Sequence, residues 1–488
     1  MDLEGFELSV RSMSKVLAII FIVLYAYTIL SSITVILLEN RNPVKSLSWI
    51  LVLIMLPGIG LILYIAVGQD YRKKKFVEKK TIQHLTDRPV ASFDISKLDT
   101  SYMDNNQLNL INMLYRNSGA PGYAFNKIDI LPDGVSTFES FFEAIGNAQD
   151  HIHIEFFIFE NDEISNRMRE LLIRKAKEGV RVRMIYDYWG SLKLSMSARY
   201  IKSLKEAGVY VYPFLPFRFR VGRSKINYRN HRKIVVVDGK IGFTGGINIA
   251  DRYFKGNKLG IWRDTVVRIE GSAVHGLQMQ FLLDWHFVDR KLITAEKYFP
   301  KPEIFNQNLI QIVSSGPDTD WEAIMQGFAS AMMSATKYIY IHSPYFIPNE
   351  LILGSVQIAA LSGVDVRLMI PVRSDSRMTD ASTSSYVEQL LEAGVKVLRY
   401  KDGFLHSKAI VIDDFISIIG SCNMDERSFS QNFEVNAFIY ESATAHQLRN
   451  LFIRDMEKCE TLTLDEWNVR KNWEKLKESM ARLFSPLQ

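Results

Sequence analysis

Apolar and polar positions change their period along this chain, and each change marks a different kind of structure. Val16–Leu38 carries no charged residue, and neither does Ser46–Gln69. At ~1.5 Å per helical residue, either run can cross a hydrocarbon core of roughly 30 Å. Backbone in lipid must satisfy its own hydrogen bonds, so the pattern predicts a hairpin of two transmembrane helices, spanning about residues 16–38 and 46–69. Asn40, Asn42 and Pro43 suit the turn, and Pro57-Gly58 predicts a kink in the second helix. The first run is too long for a signal-peptide core and lacks a small-x-small cleavage site. Residues 1–72 are therefore assigned to the hairpin. Residues 73–115, polar and charged at least to Asn105, are read as a basic juxtamembrane linker.

Beyond the linker, strand alternation and helical stretches follow one another, and they do so twice. Ala148–Phe159 (AQDHIHIEFFIF) matches Ala335–Ile347 (ATKYIYIHSPYFI), each an alternating strand after a helical stretch. Lys177–Arg183 and Leu361–Arg367 both read as a helix end, a Gly cap and a new strand. Tyr200–Val209 (YIKSLKEAGV) matches Tyr386–Val395 (YVEQLLEAGV) in the same way. Matched blocks in the same order predict an α/β fold of two pseudo-symmetric halves, residues 116–300 and 301–488. The boundary falls near Phe299–Asn308, where the periodicity breaks.

Composition adds limits rather than identity. A chain of 488 residues exceeds one ordinary core and predicts two or three domains. The net charge of +5 is mild, compatible with an anionic membrane surface without demanding nucleic acid. Charge is patterned, however: Arg72-Lys73-Lys74-Lys75 directly follows the second predicted span. The positive-inside rule puts that end, and with it the large C-terminal body, on the cytoplasmic side of a multi-pass protein. Two cysteines, Cys422 and Cys459, make neither a metal framework nor a disulfide scaffold. No His/Cys/Asp cluster has metal spacing, and there is no G-x4-G-K-[ST] phosphate loop, so no metal or cofactor is expected.

The strongest chemical signal lies in a fourth repeated block. His231-Arg232-Lys233 is followed after four residues by Asp238, and His406-Ser407-Lys408 after four residues by Asp413. Beyond each Asp comes a small pair and then an Asn: Gly245-Gly246-Ile247-Asn248 and Gly420-Ser421-Cys422-Asn423. If the H-x-K triplets lie on strands, each His and Lys face the same way. Two lysines neutralise one phosphodiester, while Asn and the small residues give donors and close approach. One imidazole can attack phosphorus and the other can protonate the leaving oxygen. Asp238 and Asp413 are part of each motif, with direct chemistry and a role in holding the local turn both open. An acid must orient each imidazole. Asp264 after the first motif and Glu434 after the second are the candidates, each extending its own half. Glu155 and His342, also matched across the repeat, either line the site mouth or end a core strand.

The paired H-x-K-x4-D motifs resemble those of the phospholipase D superfamily. That resemblance implies one metal-free site with a phosphohistidine intermediate. It puts His231, Lys233, Asn248, His406, Lys408 and Asn423 around the phosphate, with Gly245, Ser421, Asp264 and Glu434 in support. It leaves the nucleophile open, with His231 preferred. Asp264 and Glu434 stand where family members keep an orienting acid. A longer match is similar to the bacterial cardiolipin synthases. It takes in Ser46–Leu51, Leu56–Gly60 and Leu483–Leu487. It implies transfer of a phosphatidyl group between two phosphatidylglycerol molecules at a bacterial cell membrane. Pro213–Arg232, rich in Phe and Arg, then reads as an interfacial loop rather than a nucleic-acid reader. Hydrolysis, transfer to another alcohol and a membrane-tethered nuclease are the alternatives.

Overall fold

The computed structural model describes residues 3–38, 43–56, 59–64, 100–101, 103–216, 227–483 and 485. Contacts divide the chain into two compact units, one containing Met1–Tyr71 and the other Arg72–Pro216 with Tyr228–Gln488. The first is helical: α1 (Leu3–Leu38), α2 (Pro43–Met55) and α3 (Ile59–Leu63). Within α1, Arg11–Thr34 is long and apolar enough to span a membrane, and among the described residues it is the only such helix. The second predicted span is not one continuous helix. It stops at Met55 and resumes at Ile59, around the Pro57-Gly58 pair that interrupts the apolar run. The Tyr25 hydroxyl donates to the Leu53 carbonyl at 3.2 Å, joining α1 to α2. The basic run at 72–75 and the aromatic-basic stretch at 217–226 lie outside the described residues.

The second unit holds the duplication. Its first half contributes β1 (Gly122–Leu131), β2 (His151–Phe156), β3 (Arg181–Asp187), β4 (Tyr210–Phe214), β5 (Arg229–Asn230), β6 (Ile234–Val237), β7 (Ile241–Gly245), β8 (Trp262–Arg263) and β9 (Val266–Glu270). The second half contributes β10 (Asn306–Ser315), β11 (Tyr338–His342), β12 (Phe346–Ile347), β13 (Asp365–Pro371), β14 (Lys396–Tyr400), β15 (Phe404–Leu405), β16 (Ala409–Ile412), β17 (Ile416–Gly420), β18 (Met424–Asp425), β19 (Asn432–Tyr440) and β20 (Cys459–Thr461). From the centre outwards the first half runs β1-β9-β7-β6-β2-β3-β4. The second runs β10-β19-β17-β16-β11-β13-β14, with β20 added at the edge. Corresponding strands thus hold corresponding places. The antiparallel pair β1–β10 joins both halves into one sheet.

Each half has its own apolar core. One packs Ile152, Ile154, Val182, Met184, Val235 and Val237 with helix Glu163–Lys177; the other packs Ile339, Ile341, Val366, Leu368, Ile410 and Ile412 with helix Glu350–Leu361. The linker expected to reach residue 115 gives way earlier. Asp104 caps helix Asn105–Ser118 through a reciprocal capping box with Gln107, and Leu110, Ile111 and Leu114 are buried in the core of the second half. Their i, i+4 spacing is legible once the helix is known, but the surrounding polar residues mask it.

Candidate active site

The two H-x-K triplets occupy the short connections between β5 and β6 and between β15 and β16. They are not on the strands themselves, as a same-face argument assumed. The strands just before them determine where they go. β5 leaves its own half and pairs in parallel with β19, Arg229 opposite Asn432 and Asn230 opposite Phe433. β15 does the reverse, pairing with β8, Phe404 opposite Trp262 and Leu405 opposite Arg263. The ladder extends by one bond into each motif: His231 N donates to Phe433 O at 2.9 Å, and His406 N to Arg263 O at 2.8 Å.

This crossing brings each histidine to the acid of the opposite half. Nδ1 of His231 lies 2.9 and 3.0 Å from the two carboxylate oxygens of Glu434. Nδ1 of His406 lies 2.6 Å from Asp264 Oδ2. The expectation that each acid serves its own half is therefore corrected; sequence adjacency cannot show an exchange of strands. The Ser421 hydroxyl donates to Glu434, and Asn432 Nδ2 donates to it at 3.3 Å. Gly246 is required beside Asp264: a Cβ there would lie 2.1 Å from Oδ1. Gly245 likewise allows close approach of the Thr265 carbonyl.

Lys233 and Lys408 fold back on their own motifs, Lys233 Nζ donating to His231 O at 2.6 Å and Lys408 Nζ to His406 O. Asn248 accepts from Ile158 N at 3.1 Å and donates to the Tyr253 hydroxyl at 2.9 Å. Tyr253, which the motifs do not reveal, stands 3.3 Å from His406 Nδ1. Both lysines and both asparagines are buried.

Burial sets the electrostatics. It lowers His231 to about 4 against the pull of Glu434, and it lowers His406 well below the ordinary imidazole range, with Lys408 and Lys233 adding repulsion. Burial also lowers Lys233 to about 7 and Lys408 to about 8, although Glu434 and Asp264 oppose it. It raises Asp264 to about 6 despite Lys408. For Glu434 burial acts upward, but His231 and Lys233 outweigh it and the carboxyl ends below its usual range. His231 is thus a neutral imidazole whose Nδ1–H meets a carboxylate. Its Nε2 makes no hydrogen bond among the described residues, leaving a lone pair for attack.

The motif aspartates point elsewhere. Asp238 accepts from Gln149 N, Asp150 N and His151 N at 2.8, 2.8 and 2.9 Å. Asp413 accepts from Thr336 N, Lys337 N and Tyr338 N at 2.6, 2.8 and 2.8 Å. Each carboxylate clamps the turn that starts β2 or β11, so the structure favours the holding role over direct chemistry. Glu155 and His342 are buried at strand ends. Glu155 bonds Asn230, and His342 sits 3.2 Å from Asp455. The middle residue of the first motif, Arg232, is buried and donates from Nη1 to both carboxylate oxygens of Asp284, at 2.7 and 2.8 Å.

Two duplicated halves that converge on one His-Lys-Asn centre with exchanged acids define a site of the phospholipase D type. The family model described as "Cardiolipin synthase, PLD-like domain" matches residues 141–285 and 328–456, and "Phospholipase_D-nuclease N-terminal" matches residues 16–69. A cardiolipin synthase of Halalkalibacterium halodurans is 42% identical over 473 residues, 96% of this chain and 93% of that one. The major cardiolipin synthase ClsA of Bacillus subtilis is 39% identical over 485 residues, 98% of this chain and 100% of that one. The crystal structure of phosphatidylserine synthase from Haemophilus influenzae shares the fold, with a TM-score of 0.60 at 14% identity over 78% of this chain and 98% of that one. The chain belongs to the cardiolipin synthase family of phospholipase D-like proteins.

Proposed function

We propose that this chain is a cardiolipin synthase that moves a phosphatidyl group from one phosphatidylglycerol to the headgroup hydroxyl of a second, releasing glycerol. It is a phosphatidyltransferase of the family its relatives define. One observation carries the chemistry: two buried histidines, each held at Nδ1 by an acid of the other half, flank one site with two lysines. Nε2 of His231 attacks phosphorus, and the bond to the glycerol oxygen breaks as His406 gives that oxygen a proton. The headgroup hydroxyl of the second lipid then attacks the phosphohistidine. Its proton returns to His406, the new P–O bond forms and the P–N bond breaks. One phosphodiester replaces another, so no nucleotide is consumed. Lys233, Lys408 and the two asparagines stabilise the charge on phosphorus oxygens. The anionic phosphodiester also supports protonation of His406 once bound, by opposing the repulsion of the lysines.

The apolar α1 supports association with the bilayer. We read α2 and α3 as the second arm of a hairpin, with both termini and the catalytic body on the cytoplasmic side, on the strength of the basic run at 72–75. The purified full chain with labelled phosphatidylglycerol tests the reaction. Cardiolipin and free glycerol in equal amounts are expected; phosphatidic acid as the main product would sink the proposal.

A further inference from the structure

Asn248 and Asn423 occupy matching places, yet their side chains are used differently. Both polar atoms of Asn248 are engaged, by Ile158 N and the Tyr253 hydroxyl. Asn423 is only 7% exposed, and its Oδ1 accepts nothing among the described residues. A buried carbonyl oxygen without a donor is costly unless a ligand supplies the missing hydrogen bond.

Its neighbours indicate which ligand. β12 and β18 pair in parallel with Phe346 opposite Met424, so the residues just before them, Tyr345 and Asn423, stand side by side. Tyr345 corresponds in the repeat to Ile158, an apolar residue, and so brings a hydroxyl to this half alone. That hydroxyl donates to Asp375 Oδ1 at 2.8 Å. Asp375 lies just past the carboxyl end of β13, where ligands of parallel strands gather. It is exposed, and among the described residues its Oδ2 accepts no hydrogen bond. The group is continuous with the catalytic centre: Tyr345 packs against the buried cluster that holds Tyr253 and Trp262, whose ring centroids lie 5.7 and 5.0 Å from that of His406. In the first half, Phe157, the neighbour of Ile158, packs on His231 with ring centroids 4.9 Å apart, and the Arg229 guanidinium lies over Trp189.

We infer that Asn423, Tyr345 and Asp375 form a hydroxyl-binding subsite beside His406 that selects a glycerol headgroup by its free hydroxyls. The inference rests on the phosphatidyl-transfer reading and deepens it. A glycerol oxygen in line with His231 across phosphorus sits on the His406 side. Leaving glycerol and incoming headgroup therefore use the same place in turn. A leaving or free glycerol joined through one primary oxygen keeps hydroxyls one and two carbons away, and these donate to Asn423 Oδ1 and Asp375 Oδ2 while Tyr345 keeps the carboxylate oriented. The incoming lipid headgroup, esterified at its other end, keeps only the middle hydroxyl, which donates to Asn423 Oδ1. A monoalcohol of similar size has nothing to offer these acceptors, and they stay unpaired.

Partition of the common phosphatidyl-enzyme tests this. The full-length enzyme receives phosphatidylglycerol together with labelled glycerol and 1-propanol at equal concentration. Phosphatidylglycerol carrying the label and phosphatidylpropanol are then counted. The wild type is expected to favour glycerol. Asp375→Asn and Tyr345→Phe, both close to isosteric, are expected to shift the ratio toward propanol by about tenfold, the effect of weakening one hydrogen bond to a carboxylate. The ratio is read among whatever products form, so partial loss of folded protein does not obscure it. An unchanged ratio overturns the subsite, and so does an equal loss of both products. Failure of the transfer reading is separate and visible in the wild type, which would then give phosphatidic acid in place of both alcohol adducts.

Discussion

Glu434 presents both oxygens to Nδ1 of His231, whereas Asp264 shares Nδ1 of His406 with Tyr253 and Lys408. The motifs are nearly identical, but the environments support the proposed division of labour: His231 as nucleophile, its Nε2 without a hydrogen bond among the described residues, and His406, in a richer polar setting, as the group that moves protons. Glu434→Gln is expected to lower kcat by roughly 10²–10⁴-fold with a small change in KM, because an amide does not hold the tautomer or stabilise positive charge on the ring. Steady-state kinetics on mixed micelles checks it; a pure KM effect would refute the orienting role. The pH profile of kcat/KM follows from the free-enzyme groups. Lys233 at about 7 and Lys408 at about 8 are below the ordinary lysine value, so their charges are present at lower pH and lost as pH rises through those values. Asp264 at about 6 loses its carboxylate as pH falls through that value. A maximum between about 6 and about 7, with decline on both sides, is expected. A rate that stays flat to pH 9 would remove the lysines from phosphate binding.

Short strands, not the long ladders, decide where the catalytic groups meet. β5 and β15 have two residues each, and each pairs with the other half. The four-residue strands that follow the motifs, β6 and β16, are fully buried and carry no chemistry. Asp238 and Asp413 work at this scale. Both residues adopt positive φ, 53° and 52°, where a side chain is tolerated only if the surroundings hold it. Three backbone N–H groups on each carboxylate do so. Asp238→Ala is expected to destabilise the fold by roughly 2 kcal/mol, the scale of lost charge-assisted bonds at a half-buried site. Thermal unfolding in detergent would show a lowered Tm, while folded protein keeps the wild-type pH profile. A shifted profile with an unchanged Tm would return Asp238 to the chemistry. The H-x-K-x4-D spacing was legible in the sequence. The division of its parts between catalysis and turn-holding was not, because a carboxylate's role depends on the N–H groups that surround it.

For the catalytic body, a single sheet carries both halves, and the two motif histidines each meet an acid of the opposite half. Both halves belong to one chain, so the His231→Ala and His406→Ala proteins should each be inactive and should stay inactive when mixed. Recovery of cardiolipin synthesis in the mixture would mean that halves are exchanged between chains. By itself the sequence determined the duplication, the motifs, the order of strand and helix and the apolar run of α1, because these are periodic or local and each is written within a few dozen residues. Even Asp264 and Glu434 were visible as candidates from their matching positions. Tertiary structure alone decided which acid serves which histidine, that Tyr253 reaches His406, and that Asn423 is left open where Asn248 is tied. Those facts depend on two-residue strands that exchange partners across some 140 to 200 positions of sequence. Such pairing is fixed by the packing of two finished halves, a property that no local pattern encodes.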